Sequence, residues 1–188
     1  MEIILAREKD GLEGLYLKLI KELGEDPKRE GLLKTPYRAA QGMRFLTRGY
    51  QQNLKSVVNH AVFKSESSDM IILKNIEIYS LCEHHMLPFF GKCHIGYIPQ
   101  EKIIGVSKLA RIADMFARRL QVQERLTRQI LLALQELLDT EDVAVAIEAT
   151  HYCVKSRGVM DSNSRTSTRA LGGRFKACDE ARSDFLRA

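Results

Sequence analysis

The chain lacks a long apolar run, a basic leader and any internal repeat. Charged or polar residues interrupt every apolar stretch well before the ~20 residues that a membrane-spanning helix needs, so we expect no membrane partner. The opening residues, MEIILAREKD, reach charge by Arg7 without a preceding basic segment, which argues against a secretory signal. We therefore expect a globular protein located in the cytoplasm.

Cysteine is scarce, and neither sign of charge dominates. With four cysteines in 188 residues and a reducing compartment, a disulfide framework is not expected, so cysteines should serve as core residues, ligands or nucleophiles. The net charge of +5 arises from 29 basic and 24 acidic side chains, and the basic ones are spread along the chain. This excess suits an anionic ligand, and we expect no nucleic-acid partner.

Hydrophobic periodicity divides the chain into an N-terminal helical appendage, residues 1–55, and a strand-rich domain, residues 56–188. In the appendage, helices are predicted over 9–23 and from Thr35 to Leu46, with Thr35 as the capping residue. The predictions for the domain are strands over 70–82, 91–99 and 143–154, and helices over 107–119 and 122–138. The tail after 154 should be loop with short strand pieces. This order indicates an α+β fold with an antiparallel sheet backed by helices.

Two short motifs place metal-binding side chains at strand ends. Cys82-Glu83-His84-His85 has a C-x-x-H spacing in a predicted turn, which lets a thiolate and an imidazole converge on one ion. His151-Tyr152-Cys153 ends the predicted strand 143–154, and alternation puts His151 and Cys153 on its apolar face. Because polar groups in an interior need partners, the two motifs together predict a metal site.

This set holds more donors than one structural zinc ion requires. A catalytic zinc ion takes three protein ligands and keeps one position open for water. We therefore interpret Cys82, His85 and Cys153 as the ligands, with His84 and His151 beside the metal as groups that transfer protons. For each motif alone, the alternative is coincidence or a hydrogen-bonded pair in the core.

Residues near the predicted helices suit an anionic, purine-like ligand. Ser107 is predicted to cap the helix 107–119, where free backbone N–H groups favour phosphate. Lys108 and Arg111 share a face of that helix, and Arg157 follows Cys153 by four residues; the alternative is a solvated basic surface. At the next helix start, Gln123 and Glu124 offer a carboxylate that accepts two donors from a guanine edge. The alternative interpretation of Glu124 is that it forms an ion pair with Arg128.

Three long stretches carry these residues together. They are CEHHMLPFFGKCHIGYIP, IIGVSKLARIADMFARRLQVQERLT and EATHYCVKSRGV, the last followed by NSRTSTRALGG. Over about residues 30–188 the chain resembles the zinc-dependent GTP cyclohydrolase I family. The resemblance implies conversion of GTP and water to formate and 7,8-dihydroneopterin triphosphate, the first step of folate or tetrahydrobiopterin supply. It also implies the T-fold, Zn²⁺ as cofactor and a toroidal homodecamer with sites at subunit interfaces.

Roles for individual residues follow from the same resemblance. It implies zinc ligation by Cys82, His85 and Cys153, and acid–base chemistry by His84 and His151, with His151 protonating purine N7. The implied substrate contacts are Glu124 and Gln123 at guanine, Ser107 at the ribose, and Lys108, Arg111, Arg157 and Arg38 at the triphosphate, with Arg38 donated by a neighbouring subunit.

Two other functions compete with this one. A related T-fold enzyme would act on a different purine or pterin, although the complete Cys–His–Cys set argues against relatives without zinc. A structural zinc module that binds nucleic acid would use a fourth protein ligand and would have no need of Glu124.

Overall fold

The computed structural model describes residues 11–187, which form two compact units divided between Thr47 and Arg48. In the first unit, helices α1 (Leu12–Glu22) and α2 (Thr35–Leu46) pack against each other, with a 3-10 turn at Glu30–Leu32 between them. Both predicted helices are therefore confirmed, residues 9 and 10 lying outside the described part. The expected domain boundary after residue 55 stays a prediction.

The cap predicted at Thr35 is wrong. Lys34 is the N-cap residue and makes no side-chain capping bond. Thr35 is instead the first residue of α2, and its hydroxyl donates to the Gly31 carbonyl at 3.4 Å. The proline at position 36 then occupies the first turn, where no N–H is required.

The second unit alternates helices and strands. After a 3-10 turn at Arg48–Gln51, its helices are α3 (Leu54–Val58), α4 (Val106–Ala117), α5 (Gln123–Leu138), α6 (Tyr152–Lys155), α7 (Gly173–Ala177) and α8 (Asp179–Arg187). Its strands are β1 (Val62–Lys64), β2 (Ile71–Cys82), β3 (Pro88–Tyr97), β4 (Lys102–Ile104), β5 (Leu120–Gln121), β6 (Val143–His151) and β7 (Thr166–Leu171). The α+β prediction is confirmed.

The main sheet has the strand order β5-β2-β3-β6-β7, and β1 and β4 form a separate pair. All neighbours in the main sheet are antiparallel except β2 and β5, which pair in parallel at Leu81–Leu120 and Cys82–Gln121. Strands β3 and β6 are in register from Tyr97 opposite Val143 to Phe89 opposite His151. The same end of the sheet therefore carries Cys82, Phe89 and His151.

One face of the sheet is covered by α4 and α5 and forms the core. Alternate side chains of β6 point to this face, namely Val143, Val145, Ile147 and Ala149, all buried. Apolar residues at helical spacing on α4 and α5 pack against them. On the opposite face, Phe175 of α7 and Phe185 of α8 cover one end of the sheet.

Several details differ from the sequence-based expectation. The strand predicted over 143–154 ends at His151, and Cys153 lies on the short helix α6. Ser107 is not a cap, because α4 begins at Val106 with Gly105 as its N-cap. Strand β7 makes a full pairing with β6 where short pieces were expected. Over residues 11–187, no helix is both long and apolar enough to cross a membrane.

Candidate metal centre and acid–base site

The first half of the site is the turn between β2 and β3. The turn closes with a hydrogen bond from Cys82 N to the Leu87 carbonyl at 2.8 Å and one from Met86 N to the Cys82 carbonyl at 2.7 Å. Met86 has a φ of 54°, a left-handed conformation that lets the chain reverse sharply. The turn therefore presents Cys82 and His85 from one short segment.

The turn is also tied to the start of α5. Glu83 N donates to the Gln121 carbonyl at 3.0 Å, and the Glu83 carboxylate accepts from the Arg125 guanidinium. Arg125 in turn donates from Nε to Gln121 Oε1 at 3.1 Å. The residue next to Cys82 is thus held by both its backbone and its side chain, which restricts where the Cys82 thiol can lie.

Cys82, His85 and Cys153 converge in space. One donor atom from each lies within 4.8 Å of the other two, and they form the only such cluster of three metal-binding side chains in residues 11–187. Cys82 Sγ is 3.7 Å from His85 Nδ1. Helix α6, which begins directly after β6, brings Cys153 to the turn. His84 Nδ1 lies 4.0 Å from Cys82 Sγ but is not part of this cluster.

The donor set and its spacing fit a tetrahedral zinc ion. With Zn–S about 2.3 Å and Zn–N about 2.0–2.1 Å, tetrahedral geometry separates sulfur from nitrogen by roughly 3.6 Å and two sulfurs by roughly 3.8 Å. The observed 3.7 Å between Cys82 Sγ and His85 Nδ1 agrees with this separation. Burial raises the pKa of Cys153 and the adjacent Cys82 thiol raises it further, whereas the Arg157 charge lowers it. A cation would favour the thiolate forms.

His151 forms the second half of the site. It is the last residue of β6, on the face that the helices cover. Its imidazole ring stacks on Phe89, with centroids 4.6 Å apart and planes 7° from parallel. Its Nε2 atom lies 2.8 Å from Gln123 Oε1 at the start of α5. Burial lowers the pKa of His151, and the Glu124 charge opposes this shift. The environment therefore favours the neutral imidazole.

Glu124 lies on the exposed side of the same helix start. It lines a cavity of about 490 Å³ together with residues of α5, β7 and α7, namely Thr127, Arg128, Leu131, Thr168, Arg169, Ala170, Leu171 and Lys176. The alternative ion pair between Glu124 and Arg128 is not formed in the described part of the chain. The carboxylate is thus available to a ligand.

The predicted phosphate residues lie in separate places. Lys108 and Arg111 line a polar cavity of about 560 Å³ that also contains Arg48 and Asp114. This cavity shares no lining residue with the metal cluster. Lys108 Nζ donates to the Val57 carbonyl at 3.0 Å, and Ser107 is exposed on the first turn of α4.

The remaining predicted residues are exposed. Arg157 follows α6 and is close enough to Cys153 for its charge to affect that thiol. His84 has 65% of its side chain exposed and lies 3.8 Å from the Glu83 carboxylate. Arg38 lies on α2 in the first unit. Within one chain the structure therefore brings together the three residues predicted to bind a metal ion, and separately His151, Gln123 and Glu124.

Sequence reasoning missed several residues that shape the site. Phe89 stacks on His151, Arg125 holds Glu83, and Thr168 contacts the Gln123 amide at 3.1 Å. No spacing rule reveals such contacts, because they join segments that are far apart in sequence. Strand register could have revealed the contact between Phe89 and His151. Pairing β3 with β6 along their apolar faces places these two residues opposite each other.

Two thiols and an imidazole at one end of a mixed sheet, beside a partly buried histidine, define a candidate metal-dependent enzyme. Comparison with known proteins agrees with this class. The model of the family described as GTP cyclohydrolase I matches residues 12–188. The GTP cyclohydrolase 1 of Methylococcus capsulatus is 54% identical over 175 residues, covering 93% of this chain and 95% of that protein. This chain therefore belongs to the GTP cyclohydrolase I family.

More distant proteins are also similar. The GTP cyclohydrolase 1 of Rattus norvegicus is 49% identical over 175 residues, which cover 93% of this chain and 73% of the rat protein. Among solved structures, the chain is similar to the archaeosine synthase QueF-Like in its apo form. That match has 16% identity and a TM-score of 0.48, covering 57% of this chain and 97% of the other, a likeness too weak to assign a fold.

Proposed function

We propose that this chain is a zinc-dependent GTP cyclohydrolase I that converts GTP and water to formate and 7,8-dihydroneopterin triphosphate. The observation that carries the proposal is the convergence of Cys82, His85 and Cys153 within 4.8 Å in a member of this family. Three protein donors leave one position open, as in catalytic zinc sites. A zinc ion there would act as a Lewis acid and would supply hydroxide near neutral pH.

The chain's own residues would bind the base and move protons. His151 is held by Phe89 and Gln123, so its ring can exchange a proton with the purine imidazole at a fixed position. Glu124, beside it, would accept N1–H and the exocyclic N2–H₂ of guanine. His84, which is exposed beside Cys82, would exchange protons with solvent. His151 and His84 would move the protons that water attack and ring opening require, and a zinc ion held by Cys82, His85 and Cys153 would supply Lewis acidity there.

The phosphate contacts suggest a site completed by more than one copy of the chain. Lys108 and Arg111 line a different cavity from Glu124, and Arg38 belongs to the first unit. In the described chain, strand β7 is an edge, and β5 pairs with β2 only at Leu81 and Cys82. Such edges offer unpaired backbone groups to another strand. We propose a T-fold that assembles into a toroidal decamer, with Lys108, Arg111, Ser107, Arg157 and Arg38 surrounding the ribose and triphosphate.

The two proposed cysteine ligands also have a consequence for the cellular location of the protein. Cys82 and Cys153 must remain reduced to bind a metal ion, and a reducing compartment keeps them so. We therefore propose a cytoplasmic enzyme.

Formate release from GTP tests the function directly. Zinc-loaded protein should release formate and form a pterin that fluoresces after oxidation. Removing the metal with a chelator should abolish both signals, because nothing else at the cluster polarises water, and added Zn²⁺ should restore them. Zinc-loaded protein that releases no formate would instead favour a structural zinc module.

Replacing Glu124 by glutamine tests the proposed guanine contact. The amide keeps the size of the side chain but loses one of two acceptors, so the value of kcat/KM for GTP should fall about 10- to 1,000-fold, which matches a loss of 1.4–4 kcal/mol. Zinc content should not change, since Glu124 is outside the metal cluster.

Arg128→Gln is the matched control for this variant. Arg128 lines the same cavity four residues later on α5, so its replacement tests whether any change of charge there has the same effect. Loss of zinc from the Glu124 variant, or unchanged selection of GTP over ATP and ITP, would contradict the assignment.

A further inference from the structure

Gln123 is buried at the start of α5, with 1% of its surface exposed. Its Nε2 atom donates to the Ile147 carbonyl at 3.1 Å, the Thr166 carbonyl at 2.9 Å and Thr168 Oγ1 at 3.1 Å. Its side chain is therefore already committed to partners within the protein. A direct contact between this amide and guanine would require breaking those bonds, which in a buried position is costly.

These contacts determine which way the amide points. The two ends of a glutamine amide are distinguished by their partners, since nitrogen donates and oxygen accepts. Turning the amide over would direct Oε1 at the carbonyls of Ile147 and Thr166, two acceptors that cannot donate a hydrogen bond to it. The oxygen therefore faces His151, and Nε2 of His151 must be the donor in their 2.8 Å contact.

The other ring nitrogen of His151 is left for chemistry. A neutral imidazole carries one proton, so a proton on Nε2 leaves Nδ1 as the acceptor. Nδ1 has no hydrogen-bond partner in the part of the chain that the structure describes. It is not fully buried either, so this atom is open to solvent. The stacking of the ring on Phe89 limits the remaining rotation.

We propose that Gln123 is a positioning residue: its amide oxygen accepts from Nε2 of His151 and fixes the ring, which leaves Nδ1 as the free nitrogen. The logic matches other sites in which the hydrogen bond at one ring nitrogen sets the role of the other. The inference rests on the proposed catalytic role of His151. It reassigns Gln123 from the substrate to the histidine.

Gln123→Met tests the proposal, because methionine has a similar length and no acceptor for Nε2. We expect kcat for formate release to fall about 10- to 100-fold, as for other partners that orient a functional histidine. KM for GTP and zinc content should stay within about twofold, since the metal cluster and Glu124 are untouched. A fall in kcat/KM that comes from KM alone would overturn the proposal.

Gln135→Met is the matched control. Gln135 lies near the other end of α5, and its amide donates to the backbone and side chain of Glu141 rather than to a histidine. Thermal unfolding of both variants measures their loss of stability. The kcat of the Gln135 variant should remain within about threefold of the unmodified protein, because no functional histidine depends on it. An equal loss of kcat in both variants would overturn the proposal.

Gln123→Glu separates positioning from structure. The carboxylate still accepts from His151 Nε2, but it cannot donate to Ile147, Thr166 or Thr168. A positioning role predicts a higher kcat for Gln123→Glu than for Gln123→Met. A purely structural role predicts the reverse, because a buried carboxylate that faces two carbonyls destabilises the fold more than methionine does.

A spectroscopic measurement distinguishes failure of this inference from failure of the proposed function. Magic-angle-spinning ¹⁵N NMR of sedimented, zinc-loaded protein labelled at its five histidines reports which ring nitrogen is protonated, and His151→Ala identifies the signal. We expect an unprotonated Nδ1 that changes in Gln123→Met. That result without formate release would reject only the function. Formate release with an unchanged His151 spectrum would reject only the role of Gln123.

Discussion

Replacing Cys153 by serine is expected to remove zinc and formate release together. The remaining donors, Cys82 and His85, come from one turn, and two ligands are fewer than a catalytic zinc site uses. A serine hydroxyl does not ionise near neutral pH, so it cannot replace a thiolate. Because the proposed reaction depends on the metal, activity should fall by at least about 1,000-fold, of the order of a removed catalytic group.

Metal analysis of the purified variant measures its zinc content, and an enzyme assay measures its rate of formate release. Cys178→Ser is the matched control, since Cys178 is exposed and lies outside the cluster. That variant should keep one zinc ion per chain and its full rate. Thermal unfolding of both variants separates loss of metal from loss of fold. A Cys153→Ser variant with normal turnover would contradict the ligand assignment.

The regular elements could be predicted because their patterns are local. The predicted strand 70–82 and the observed β2 differ by one residue at the start, and α2 has the predicted bounds. In β6 the buried side chains that face α4 and α5 recur at every second position from Val143 to Ala149, as expected of a strand with one face against the core. Each of these segments has enough residues for its period to be evident.

The sequence predicted which residues form the candidate site but not how they are arranged. In the sequence, the strand-like alternation of side chains extends to Cys153, but in the structure the chain turns into α6 after His151. A helix of four residues is too short for its sequence pattern to be detected. This turn directs Cys153 towards Cys82. The cap at Gly105 was missed because glycine there leaves no side-chain signal, whereas Ser107 offered a false one.

The contacts that orient the site depend on pairing between distant segments. Phe89 meets His151 through the register of β3 and β6, and Gln123 meets it through the packing of α5 on β6. Sequence spacing contains no information on either pairing. Sequence reasoning identified Gln123 from its position at a helix start and assigned it to the substrate, whereas in the structure its amide oxygen lies 2.8 Å from His151 Nε2.

His151→Ala is expected to lower kcat about 100- to 10,000-fold, the range for loss of a positioned acid–base group. Zinc content should not change, because His151 is outside the cluster of Cys82, His85 and Cys153. KM for GTP should change little, since Glu124 remains in place to bind the base. Stopped assays of formate release over a range of GTP concentrations separate the two constants.

His94→Ala is the matched control for this substitution. His94 lies on β3 and is partly buried, and its side chain points to the sheet face opposite His151. Burial and the Lys74 charge lower the pKa of His94, so it too is a perturbed histidine, but one remote from the cluster. Its replacement should leave kcat within about twofold, as for a substitution away from the site. Equal losses in both variants would indicate a general effect on the sheet.

Added imidazole provides the sharper test of His151. The alanine variant leaves a space bounded by the Phe89 ring, on which an imidazole can stack, and by the Gln123 amide oxygen, which can accept its N–H. Free imidazole should therefore restore part of the rate in a saturable way, and it should do so less well when Gln123 is also methionine. If His151 served only to pack against Phe89, imidazole would restore stability without restoring formate release, and the acid–base role would be rejected.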